Sequence, residues 1–170
     1  GLDEIRYYLM KEVMYGLDGK INIDNLKNCI NSDLANNIGN LSQRIFVLIN
    51  KYFSCKVPDP KPLLKSDQKF MDCPVERLRK SMDSFEIHNY IREVISYSSK
   101  INKFINDEEP WTKAKNSDPR VATVLYVALN ALKNIFILLH PVMPSKSEHY
   151  LSCLNIDTKN ISLELINKNL

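Results

Sequence analysis

The sequence predicts an all-α fold, an antiparallel helical bundle, and three observations carry that expectation. Apolar residues recur at three- and four-residue spacing along most of the chain, which is the period of one helix face. Only four glycines occur, three of them before position 20, so few sites could form hairpin turns. A chain of 170 residues with 44% apolar composition can bury one core, and no repeat or low-complexity stretch divides it.

Element by element, Leu2, Ile5, Leu9 and Val13 line one face of a first helix that Gly16 should end. Asp18-Gly19 then turns the chain. Asn22 or Asp24 caps a long helical region to about Phe53, bent near Asn31-Ser32, with Leu34, Ile38, Leu41, Ile45, Leu48 and Ile49 as its buried stripe. The Pro-rich stretch from Val57 to Pro62 interrupts it. A short helix from Pro74 to Met82 carries proline in its first turn, where the missing N–H costs little. Ser84 is expected to cap the next helix, which runs to Asp107 through Ile87, Ile91, Val94, Ile95, Tyr97, Ile101 and Ile105. Asp118-Pro119 opens a helix apolar on nearly every side that ends at His140-Pro141, so it should sit at the centre of the bundle. Ser145 and Glu148 read as a capping box for a last helix to Leu154. The arm 155–170 fits either a strand or an extended arm packing on a domain outside this chain.

The same inventory argues against chemistry. No glycine-rich phosphate loop is present, and His88, His140 and His149 lie far apart. Cys29, Cys55, Cys73 and Cys153 lack metal-ligand spacing, so no metal site is expected and reduced thiols of a cytoplasmic protein account for them. Glu108-Glu109 are adjacent on a helix and point apart, which is no acid–base couple. Catalytic residues are therefore expected to be none. The net charge of +3 permits a polyanionic partner without demanding one. Residues Val121 to Leu139 could suggest a membrane span, but Asn130, Lys133 and Asn134 favour a buried core helix.

One polar face stands out. Asn36, Asn40 and Arg44 recur every fourth residue and so share one side of a helix, with Gly39 beside them leaving room for a close approach. Asn102 and Asn106 form a second such pair, followed by Pro110 and the only tryptophan, Trp111, and then by Lys113, Lys115 and Arg120. Amides and a guanidinium read the edges of an unstacked base, and an aromatic ring supplies its stacking surface. A solvated polar face and a core tryptophan are the plainer alternative.

The run Asn31-Ser32-Asp33-Leu34-Ala35-Asn36, with Gly39-Asn40-Leu41 and Arg44 after it, resembles the methionyl-tRNA synthetase family. So do Asn102-Lys103-Phe104-Ile105 leading to Pro110-Trp111, and Leu139-His140-Pro141-Val142-Met143-Pro144. The opening Asp3-Glu4-Ile5-Arg6-Tyr7-Tyr8-Leu9 looks like the helix that follows the catalytic domain of that family. The resemblance implies the anticodon-binding helical bundle of a class I synthetase. It divides the chain into a helix 1–16 continuing from a catalytic domain outside this chain, a bundle 20–154 and a C-terminal arm 155–170. It implies that Asn40, Arg44 and Trp111 contact the first base of a CAU anticodon while Asn36, Asn102 and Pro110 shape the site. Asn106 departs from members that carry an acid there, so no contact is carried over through it. Lys113, Lys115 and Arg120 are candidate phosphate contacts.

The family's HIGH-type and KMSKS-type segments are absent; Lys80-Ser81-Met82-Asp83-Ser84 has some of the letters in the wrong place. The chain, which opens on Gly1 with no signal peptide, is thus expected to be a non-catalytic piece of a longer methionine–tRNA ligase. That ligase would use ATP and Mg²⁺ in its catalytic domain, with no cofactor in this piece. The implied partners are tRNA(Met) and the protein's own catalytic domain, with neither membrane nor DNA. Two alternatives stay open: the equivalent domain of a leucine, isoleucine, valine or cysteine synthetase, and a helical protein-interaction module with Trp111 as its anchor.

Overall fold

A computed structural model describes residues 1–170, the side chain of Asn167 apart. Among the described residues there is no strand; the chain forms α1 (Leu2–Glu12), α2 (Ile23–Cys29), a π-helical segment (Ile30–Gly39), α3 (Asn40–Phe53), α4 (Lys65–Met71), α5 (Val75–Asp83), α6 (Ile87–Glu108), α7 (Pro110–Lys115), α8 (Arg120–Leu139) and α9 (Pro144–Cys153). Two 3₁₀ turns, Thr158–Asn160 and Leu163–Asn167, complete it.

The all-round apolar helix is the axis of the molecule. α8 is buried along nearly its whole length and packs against α3, α4, α6, α7 and α9. It is long and apolar enough to cross a membrane, but here its apolar surface is spent on its neighbours. At roughly 2 kcal/mol for each fully buried aliphatic side chain, residues such as Leu125, Leu132, Ile135 and Leu138 dominate the stability. The Tyr90 hydroxyl donates to the Leu138 carbonyl, and Arg120 pairs with Glu108. The start of α6 therefore meets the end of α8, and the two run antiparallel. Ile38 and Gly39 share a cavity lining with Phe136 and Leu139, and Ile49 shares another with Leu129, so the π segment and α3 also run antiparallel to α8. The consequence is a locally parallel pair: the π segment with α3, beside α6.

Several boundaries differ from the sequence expectation. α1 stops at Glu12, short of Gly16, because Val13 is extended. Asn22 does cap α2, its Oδ1 accepting from the N–H groups of Asp24 and Asn25. The region 23–53 is continuous but holds a wide π turn in place of a bend. Gly39 explains why it is tolerated there: a Cβ at this position would lie 2.9 Å from the Leu34 carbonyl oxygen, five residues back. The close approach that Gly39 allows is made here by the helix's own backbone. Ser84 closes α5 through its N–H to Lys80 O and does not cap α6; Phe85, with φ +58°, turns the chain first. Ser145 and Glu148 are no capping box, since α9 already starts at Pro144 and Glu148 instead approaches His140 at 3.2 Å. α4 has no counterpart in the sequence reading. The arm 155–170 is neither a strand nor a free extension. Its first 3₁₀ turn packs on α9 and its second folds back on α8, where the Lys133 ammonium donates to the carbonyls of Leu165, Ile166 and Lys168 and Asn130 Oδ1 accepts from the N–H of Leu170.

Candidate nucleic-acid interface

The parallel pair brings the polar face and the tryptophan together. Arg44 sits on the first turns of α3, where the fully buried Leu41 and Ile45 fix the helix against the core. Trp111 is delivered by a sharp reversal. Glu109, in the left-handed region at φ +44°, ends α6 and begins α7, and buried Pro110 occupies the first helical position with its fixed φ. Non-glycine residues reach that region at a cost, so this corner is held by its surroundings. The result places the Arg44 guanidinium carbon 4.8 Å above the centre of the Trp111 ring.

Asn106, one turn before the end of α6, holds the same guanidinium: its Oδ1 accepts from Arg44 Nη2 at 2.8 Å. Burial lowers the Arg44 pKa from its ordinary value, and among the described residues no carboxylate pairs with it. Both Arg44 and Trp111 are half-buried at the surface. A half-desolvated cation against a flat aromatic face, with donors left over, suits a planar group rich in acceptors. Asn40, a turn earlier on α3, and Asn36, in the π segment, are exposed; among the described residues neither amide makes an internal hydrogen bond.

Behind these residues lies a contact that the sequence reading missed. Asn102 does not meet Asn36; its Nδ2 donates to Asn37 Oδ1 at 2.7 Å. Asn37 Oδ1 also accepts from Ser98 Oγ at 2.8 Å, and its Nδ2 donates to Ser99 Oγ at 3.0 Å. The run of amides beginning at Asn36 was the only signal, and choosing the right member of it needs the phase of the π turn.

The expected phosphate contacts divide. Arg120 is committed elsewhere: Nη1 and Nη2 grip the two oxygens of Asp67 at 2.6 Å each, and Nη2 reaches Glu108 at 3.0 Å. The Asp67 hydrogen bonds push the Arg120 pKa up, and Asp67 falls below its usual value for the same reason. Lys113 donates to the Glu108 carbonyl at 2.6 Å and lies 3.4 Å from its carboxylate, capping α6. Both of these cations are held by internal partners. Lys115 alone of the three is exposed. Among the described residues no cluster of three or more potential metal ligands occurs.

Comparison with known proteins places this geometry in a family. Residues 57–167 match the model of the anticodon binding domain of methionyl tRNA ligase, and residues 1–46 match that of the class I tRNA synthetases, methionine type. The candidate site draws on both stretches, Arg44 from one and Trp111 from the other. A methionine–tRNA ligase of Brucella suis is 35% identical over 159 residues, covering 92% of this chain and 31% of that protein. One of Thermotoga maritima is 33% identical over 164 residues, covering 94% of this chain and 26% of that protein. The ligand-free methionyl-tRNA synthetase of Mycobacterium tuberculosis superposes with a TM-score of 0.94 at 29% identity, over 100% of this chain and 36% of that one. The same enzyme has been solved in complex with methionyl-adenylate, covering 35% of that chain. The chain thus spans about a third or less of the relatives it matches. It belongs to the methionyl-tRNA synthetase family, of which it is the helical anticodon-binding domain.

Proposed function

We propose that this domain binds the anticodon of tRNA(Met) and reads its first base in the cleft between Arg44 and Trp111. The observation that carries the reading is a guanidinium lying over the only tryptophan with no carboxylate partner among the described residues. The flat cation holds the indole face until a flat base takes it. The base then stacks on Trp111, and Arg44, with Asn40 beside it, turns to the base edge. Cytosine offers acceptors at O2 and N3, which suit Arg donors; uracil carries a proton on N3 and leaves a donor facing a donor. That mismatch in a partly desolvated site costs about 1–3 kcal/mol. Stacking contributes about 1–3 kcal/mol with little base preference. Asn36, Asn102 and Pro110 shape the cleft around the base, and Lys115 meets a neighbouring phosphate. Titration with anticodon stem-loops tests the division of labour. Arg44→Ala should narrow the gap between cytosine and uracil at the first position, and wild-type discrimination by that variant would sink the assignment.

The whole ligase would join methionine to its tRNA using ATP and Mg²⁺ in the cytoplasm. Neither a glycine-rich loop nor a metal cluster among the described residues suits those cofactors, so no step is assigned to them in this domain. An exposed apolar edge along Leu2, Ile5, Met14, Tyr15, Leu17 and Ile21 lies within the stretch that matches the synthetase model, and it supports a seat for the catalytic domain there.

A further inference from the structure

α6 packs on both the π segment and α3, which run parallel to it. At the π segment the polar contact runs through one side chain. The Asn37 amide spends its oxygen on Ser98 and Asn102 and its nitrogen on Ser99, and its own backbone carbonyl takes a further Asn102 Nδ2 contact at 3.3 Å. Seven residues further along, Arg44 meets Asn106 and Trp111. Among the described residues, the bonds of Asn37 with Ser98, Ser99 and Asn102 and that of Arg44 with Asn106 are the side-chain hydrogen bonds that tie these helices together, one set at Asn37 and one at Arg44. The π turn is what aims Asn37 at α6. An α-helical course through 30–39 would rotate successive residues differently and turn this amide off the partner helix.

We propose that Asn37 is a positioning residue for base discrimination: by clasping Ser98, Ser99 and Asn102 it sets the width of the cleft between Arg44 and Trp111, without touching the base itself. Directional hydrogen bonds suit this role better than aliphatic packing does, because they define both the spacing and the sliding register of two helices. This rests on the anticodon reading above, so the test has one arm that needs RNA and one that does not.

In the free 170-residue chain, the indole ring current should shift the Arg44 Nε–H resonance away from that of an exposed arginine. Asn37→Ala should return it toward the exposed value and reduce the cytosine-over-uracil affinity ratio for anticodon stem-loops about tenfold. Asn37→Asp keeps both acceptor contacts and should retain most of the shift and most of the ratio. Tyr97→Phe removes a part-buried hydrogen bond from the same helix to Phe70 on α4, a contact outside the clasp, and should change stability while leaving both readouts at wild-type values. An Asn37→Ala chain with unchanged Arg44 resonance and unchanged ratio overturns the proposal. Equal losses in Asn37→Ala and Tyr97→Phe also overturn it, since general destabilisation would then explain both. A parent chain without cytosine preference would remove the anticodon reading, while the resonance arm still decides whether Asn37 sets the cleft.

Discussion

Arg44 and Arg120 lie on neighbouring helices and have opposite surroundings. Arg120 is closed on every side by acids, bidentate to Asp67 and bonded to Glu108. Arg44 meets one neutral amide and one aromatic face. The two share a side-chain chemistry and differ only in whether the charge is balanced within the fold. A balanced guanidinium joins α4, α6 and α8; an unbalanced one at the surface is available to something that arrives from outside.

The largest effect should come from breaking the closed site. Asp67→Ala leaves Arg120 with half its partners, and unfolding in urea should show a loss of about 3 kcal/mol. Arg44→Ala should cost less than about 1 kcal/mol by the same measurement, since no ion pair is lost. Next in size is the open site's own function: Trp111→Ala should weaken stem-loop binding by about 2 kcal/mol whichever base stands first. Equal stem-loop affinity for parent and variant would mean that the indole is no stacking platform.

The smallest effect is in acid. The hydrogen bonds from Arg120 hold the Asp67 carboxyl below its ordinary value of 3.8, and Asp33 is also lowered: burial would raise it, but its hydrogen bonds from Lys11, Tyr7 and Ser32 outweigh that. Each folded value lies below the unfolded one, so the stabilisation is fully present above 3.8 and fades as pH falls through the folded value. Melting temperatures followed down through that range should drop steeply for the parent and less steeply for Asp67→Asn. Arg44→Ala should run parallel to the parent.

The long helices were legible because their apolar stripes repeat at helical spacing, and α8 announced its central place by having no polar side. Arg44 and Trp111 could be singled out because a guanidinium row and a lone tryptophan are conspicuous in a chain rich in asparagine. Other features depend on groups distant in sequence. Asp67, which removes Arg120 from the surface, sits on α4, whose seven residues are too short to show a period. The π turn keeps nearly the same apolar spacing as an α-helix, so only its phase reveals that Asn37, and not Asn36, faces Asn102. Ser84 and Ser145 have the composition of caps, but the left-handed turn at Phe85 and the early start at Pro144 reassign the helix ends.

Lys133 shows how far the C-terminal arm belongs to the bundle. It projects from the most buried helix, its residue 2% exposed, and burial holds its pKa down to about 8. The carbonyls of the last 3₁₀ turn and of Lys168 are its only hydrogen-bond partners among the described residues. Shortening the chain before Leu165 would take all three of those carbonyls away from the ammonium, so what looks like a dispensable tassel is what lets a charged residue live at the axis.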